Sequence, residues 1–207
     1  MNAGRKIIGK FSQYPAFTYK EVEFYTGRSV PDLARVLSYM KKTGRIYTIR
    51  KGVYTTTKDS MLSGFAYTPF YYGMLSAMTI RGLWTQESRP DIITIRKVRN
   101  SRKAVFGDRT DVVFVHHIPA RYFFGYDIVK YGRFMLPVSD AEKTLIDLFY
   151  YRVRLAVQNY GNLLAAVRQR KLKEYLMTYD AHTVSSVTNF VKRYKRAADS
   201  GRLTSEY

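Results

Sequence analysis

The sequence predicts an α+β fold: an N-terminal winged helix-turn-helix over residues 1–60, then an α/β domain with a helical C-terminal portion over 61–207. Three observations carry this. A short amphipathic helix runs through Gly44 into two β-branched and aromatic runs about a Lys51-Gly52 turn. Two short helical segments precede it. Beyond residue 90, β-rich runs give way to a capped helix and then to helical periodicity.

The order starts with helical segments at 5–14 and 20–26, separated by Pro15-Ala16-Phe17-Thr18. The next helix buries Leu33, Val36, Leu37 and Met40 at i, i+3, i+4, i+7 spacing. Ser29 suits its N-cap, Pro31 its first turn and Asp32 the positive end of its dipole, while Gly44 closes it. Facing away from the stripe are Arg35, Ser38, Tyr39 and Lys42, with Arg28 and Ser29 at the entry. These groups suit base edges in a major groove. The runs 45–50 and 53–57 form a candidate wing with Arg50 and Lys51 at its tip, and Lys41, Arg50 and Lys51 are candidates to neutralise phosphates.

Residues 57–64 are polar and contain glycine, so the junction between the two domains is expected there. A helix is predicted over 70–80, with Tyr71, Met74, Leu75 and Met78 on one side and Gly82 as its stop. Strands are predicted at 92–95 and 112–115, joined by a basic loop containing Lys97, Arg99, Arg102 and Lys103, with one or two more at 126–135. Ser139 and Glu142 stand at capping-box spacing before a helix over 143–150 that buries Leu145, Leu148 and Phe149. Further helices are expected at 162–170, 172–179 and 184–198. The last directs Val184, Val187, Val191 and Tyr194 inward and Lys192, Arg193, Lys195 and Arg196 outward.

The formal charge is +19, with an excess of 8 positive charges in residues 1–60 and 11 in 61–207. A polyanion is therefore the expected partner, and both halves are candidates to touch it. Residues 60–80 carry no charge, but Gly64, Pro69 and Gly73 interrupt them and polar side chains dilute them, so a buried segment is expected rather than a membrane span. Ile7 and Ile8 lie among Arg5, Lys6 and Lys10 with no apolar stretch behind, so no secretory signal is expected and the expected location is cytoplasmic. The sequence has no cysteine, which excludes disulfides and cysteine-bound zinc.

Three segments together resemble a known family: the wing Arg45-Ile46-Tyr47-Thr48-Ile49-Arg50-Lys51-Gly52-Val53-Tyr54, the stretch Ser76-Ala77-Met78-Thr79-Ile80-Arg81-Gly82-Leu83, and the motif Glu142-Lys143-Thr144-Leu145-Ile146-Asp147. In this order they are similar to the AbiEi-type antitoxins, predicted transcriptional regulators of abortive-infection phage-defence operons. The resemblance covers roughly residues 5–150. It implies a winged helix that binds inverted repeats in its own promoter, and an α/β domain that acts against a nucleotidyltransferase-like toxin without requiring a stable complex. It places DNA contact on the basic residues named above and gives Glu142 and Asp147 a family-signature role. An inverted repeat is a two-fold object, so dimeric or cooperative binding both stay open.

No catalytic residues, metal ligands or cofactors are expected. Pro90-Asp91 resembles the start of a restriction-nuclease site, but no Asp/Glu-x-Lys follows, and Asp108 and Asp111 have no lysine in register. His116 and His117 are adjacent in a strand and point to opposite faces, and His182 is alone. Glu142 and Asp147 are five apart on a helix and diverge, and Lys143 and Asp147 are at the spacing of a weak surface pair. The 19 tyrosines are better explained as core and rim residues than as a base-stacking platform. A DNA-processing nuclease of a defence system and a non-specific nucleic-acid-packaging protein remain the alternative readings.

Overall fold

Helix α1 (Ala3–Phe11) and helix α2 (Tyr19–Thr26) flank a two-residue strand, β1 (Phe17–Thr18), in a computed structural model that describes residues 3–86, 88–97, 102–106 and 109–200. A capping box starts α2: Glu21 N–H donates to Thr18 Oγ1 (3.2 Å), and Thr18 N–H donates to the Glu21 carboxylate (2.6 Å). Gly27 ends it in the left-handed region at φ 61°, where a side chain would be strained. Helix α3 (Val30–Lys42) leads to strands β2 (Tyr47–Arg50) and β3 (Val53–Thr55), and β1 pairs with β3. Helix, strand, two helices and a two-stranded wing is the order of a winged helix. Its core is Ile7, Phe11, Phe17, Val22, Leu33, Leu37, Met40, Ile46 and Tyr54.

The remaining strands are β4 (Phe70–Tyr72), β5 (Asp91–Thr94), β6 (Arg102–Phe106), β7 (Arg109–His117), β8 (Tyr126–Tyr131) and β9 (Phe134–Ser139). All nine join in the order β1-β3-β2-β6-β7-β5-β4-β9-β8. The first part of β7, through Val113, pairs antiparallel with β6; Phe114 to His117 pair parallel with β5. One strand thus carries the sheet from the wing side to the centre. The wing is consequently not free-standing, because the outer edge of β2 pairs with β6 through Thr48 and Val105.

Residues 60–80 are mostly buried, as expected, but not as one helix. Ser60–Tyr67 form a 3-10 helix, β4 follows, and only Met74–Ile80 are helical (α4). The predicted helix over 70–80 is corrected on this point. Phe70, Tyr71 and Tyr72 lie between β5 and β9 with both faces covered, and a central strand needs no polar alternation. Arg102 and Lys103, placed in a loop by the sequence, belong to β6, while Arg99 and Asp108 lie outside the described residues.

Helix α5 (Ala141–Tyr150) packs behind the sheet with α6 (Gly161–Ala166), α7 (Gln169–Leu176) and α8 (Ala181–Asp199). The expected cap is corrected by one residue. Asp140 accepts from Lys143 N–H (2.8 Å), while Ser139 bonds Thr144 (2.6 Å) and Glu142 turns to α7. Asp180 caps α8, accepting from the amide and hydroxyl of Thr183, and the amide bond holds its carboxyl below the usual aspartate range. A lowered native pKa contributes stability above the unfolded value that is lost as pH falls through the native one. Asp180→Ala should therefore cost about 1 kcal/mol at neutral pH and flatten the acid limb of a thermal-melt pH profile. An unchanged acid limb would refute the cap's role.

Candidate nucleic-acid interface

Helix α3 turns Leu33, Leu37 and Met40 into the core, leaving Arg28, Ser29, Arg35, Tyr39, Lys41 and Lys42 exposed and Ser38 half-buried. The Arg35 side chain is 82% exposed and meets Asp32 only at 4.0 Å. Such a pair contributes little and leaves the guanidinium able to re-aim. Ser29 is more committed: its hydroxyl caps α3 by accepting from Asp32 N–H (3.4 Å) and donating to the Asp32 carboxylate (3.1 Å). Lys41 and Lys42 sit in the last turn, where the dipole favours cations.

Tyr19 ties this helix to the wing. Its N–H donates to Gly52 O in the wing turn (2.8 Å), and its hydroxyl donates to Val30 O at the start of α3 (3.1 Å). One residue, through its backbone amide and its hydroxyl, thus links the Arg28–Ser29 entry to the Arg50–Lys51 tip. Gly52 has φ 79°, a backbone conformation that suits glycine in the turn. Lys51 is exposed and in no ion pair among the described residues. Arg50 is held toward the second half, donating to Ala66 O at 3.4 Å with its guanidinium 5.8 Å from the Tyr67 ring centroid. Arg96, just past β5, lines the same groove as Arg50 and Lys51, beside Thr18, Glu21 and Thr68. Sequence reasoning passed over Arg96 because only the sheet brings residue 96 back to the wing.

The fold has a solved counterpart. The chain is similar to the RV2827C protein from Mycobacterium tuberculosis, whose crystal structure matches with a TM-score of 0.60 at 14% identity, covering 99% of this chain and 81% of that one. At this identity the likeness concerns the fold. Comparison with protein-family models and with curated proteins gives no match.

The Glu142–Asp147 motif forms no second surface site. Lys143 and Asp147 make an ion pair with both side chains wholly buried, and the Tyr71 hydroxyl donates to Asp147 at 3.0 Å. The expectation of a weak surface pair is corrected: α5 is covered on nearly every side, so the pair is desolvated. The Lys143 ammonium sits 5.2 Å from the Tyr71 ring centroid, 5.8 Å from Phe124 and 5.6 Å from Tyr179, an aromatic cage that offsets part of its lost hydration. Burial pushes the Asp147 carboxyl up and the Lys143 ammonium down, and each partner opposes the shift. Glu142 accepts from the Arg168 amide that starts α7 (2.7 Å) and lies 3.7 Å from Lys171. Asp140 accepts from Lys171 and Tyr175, both at 2.8 Å. Glu142 and Asp147 therefore serve different partners.

Asp91 is likewise engaged. Its carboxylate lies 3.1 Å from His116 Nε2. Burial raises its pKa, while His116 and the Ser76 and Leu75 amides at the start of α4 pull the other way. His117 is exposed, so the two histidines part as alternation requires. Among the described residues, no group of three or more His, Asp or Glu side chains is placed to hold a metal ion.

Proposed function

We propose that this chain is a sequence-specific double-stranded DNA-binding regulator, with α3 in the major groove and the wing tip on the adjacent backbone. One observation carries the reading: Tyr19 couples an exposed cationic helix face to a cationic hairpin turn, and no other part of the described residues covers that face. Arg28, Arg35, Ser38, Tyr39 and Lys42 present to bases, while Lys41, Arg50 and Lys51 meet phosphates. Ser29 acts through its cap. The resemblance to AbiEi-type antitoxins extends the proposal: the chain represses its own promoter at inverted repeats, as a dimer or cooperatively, and residues 61–207 act against a nucleotidyltransferase-like toxin.

The test is binding to the chain's own upstream fragment against scrambled competitor, with and without Mg²⁺. Preference for the upstream fragment supports the reading. Equal binding to both would favour a packaging protein, and Mg²⁺-dependent cutting would favour a nuclease. Within the same assay, Arg35→Ala should cost about 1–3 kcal/mol on the preferred fragment and little on scrambled DNA. Lys51→Ala should weaken both alike and lower the log–log salt slope by about 0.9. Equal losses on both fragments for both variants would refute this division of labour.

A further inference from the structure

A second cationic surface lies away from α3. A groove of about 650 Å³ is lined by Arg5, Ile8 and Gly9 of α1 and Ser12 just past it, by Gly44 and Arg45 ahead of β2, and by Thr56 and Arg133. Arg5, Ile8 and Gly9 fall at i, i+3, i+4, and Ser12, whose N–H donates to Ile8 O, continues the same face, so one side of that helix forms a wall. Arg133 comes from the β8–β9 turn, deep in the second half of the sequence, and its guanidinium donates to Thr57 at 2.8 Å. The groove therefore spans the winged helix and the rest of the chain.

Three arginines line it and, among the described residues, no Asp or Glu does. Among the described residues none of the three enters an ion pair. Arginines along one groove without counter-ions leave its positive charge uncompensated, and a planar five-donor guanidinium matches phosphate oxygens in bidentate fashion. Among the described residues the buried Thr56 hydroxyl has no hydrogen-bond partner. Gly9 keeps the wall low, since a Cβ at that position would meet nothing within 4 Å. No residue of the exposed α3 face contributes. Arg45 precedes β2 and Arg50 ends it, so the groove's arginine and the wing tip lie on opposite sides of that strand's length.

We propose that this groove holds the phosphodiester backbone of duplex DNA outside the stretch that α3 reads. The groove is open and crosses both halves of the chain, which suits a passing strand better than an enclosed small molecule. Arg133 is its one cation from residues 61–207, which carry a positive excess of 11 charges in all. The inference adds a contact to the proposed function and stands on different residues.

The experiment measures binding of the full chain to a random-sequence 40-bp duplex across about 50–200 mM NaCl. It compares a groove variant (Arg5→Ala, Arg45→Ala, Arg133→Ala) with an α3–wing variant (Arg35→Ala, Lys42→Ala, Lys51→Ala). Thermal melts confirm folding, and Gly9→Asp places a negative charge in the groove without removing an arginine. If each arginine meets one phosphate, the groove variant should lose about 2.7 from the salt slope, a difference of about 40-fold in affinity change over that range. Gly9→Asp should weaken binding in the same direction. A groove variant and Gly9→Asp that both match the parent would overturn the proposal and, if the α3–wing variant still loses affinity, leave the recognition face standing. Loss confined to the groove variants would uphold the groove and overturn the phosphate contact assigned to Lys51. Inorganic pyrophosphate that removes the groove's share at matched ionic strength would reassign the site to small phosphates and overturn the backbone reading.

Discussion

Lys143→Met and Asp147→Leu are each expected to destabilise the protein by about 3–5 kcal/mol, because each leaves an uncompensated charge among buried aromatic rings. The double variant should be less damaged than either single one. It still orphans the Tyr71 hydroxyl, which donates to Asp147, at about 1–3 kcal/mol. Adding Tyr71→Phe should return stability close to the parent, since a buried pair replaced by well-packed apolar groups is often neutral or better. Chemical denaturation of the five proteins checks this. A triple variant as unstable as the single ones would show that the pair contributes net attraction beyond satisfying its own buried charges.

The triple variant also separates structural from functional roles for the Glu142-Lys143-Thr144-Leu145-Ile146-Asp147 motif. If the motif serves only to lock α5 against the sheet, a restabilised triple variant should retain the duplex binding and the antitoxin activity proposed above. Loss of antitoxin activity alone would assign the motif a direct task. Glu142→Gln is the counterpart. Glu142 holds the first amide of α7 and lies near Lys171, so its loss should loosen α7 without touching the buried pair.

The winged helix was legible because its signals are local. Ser29, Pro31, the Leu33 stripe, Gly44 and the Lys51-Gly52 turn each act within a few residues of themselves, and α3, β2 and β3 fall where they indicate. The Thr18–Glu21 capping box was equally local and passed unnoticed. What the sequence did not reveal depends on distant pairing. Phe70-Tyr71-Tyr72 has the apolar density of a helix core, and only its neighbours β5 and β9 make it a strand. Lys143 and Asp147 have the spacing of a surface pair until α4, α7 and α8 close over α5. Arg96 and Arg133 read as ordinary surface charge because residues 16–57, which they face, are remote in sequence.

Gly64→Ala is expected to destabilise the core beside the wing by about 1–3 kcal/mol. Gly64 is buried in the 3-10 helix, where a Cβ would fall inside the van der Waals surface of the Phe70 ring and 2.6 Å from the Tyr72 hydroxyl. Neither neighbour yields easily. Phe70 packs edge-on against both Phe65 and Tyr72, at 5.2 and 5.4 Å between centroids, and the Tyr72 hydroxyl accepts from Gly64 N–H while donating to Met61 O. Displacing Tyr72 to admit a methyl would break both hydrogen bonds, so the methyl must act on Phe70. A second change, Phe70→Leu, should then recover part of the loss, giving a favourable coupling in a double-mutant cycle. At about 2–4 °C per kcal/mol for a chain of this size, the melting temperature should fall by roughly 2–12 °C for Gly64→Ala. The same core contains Ile49 of β2, so the disturbance reaches the wing's supporting strand without touching Arg50 or Lys51. Duplex affinity per folded molecule should hold below the melting transition. An unchanged melting temperature would mean that the 3-10 helix can shift away from β4, and an affinity loss at full folding would make this core part of what sets the wing's position.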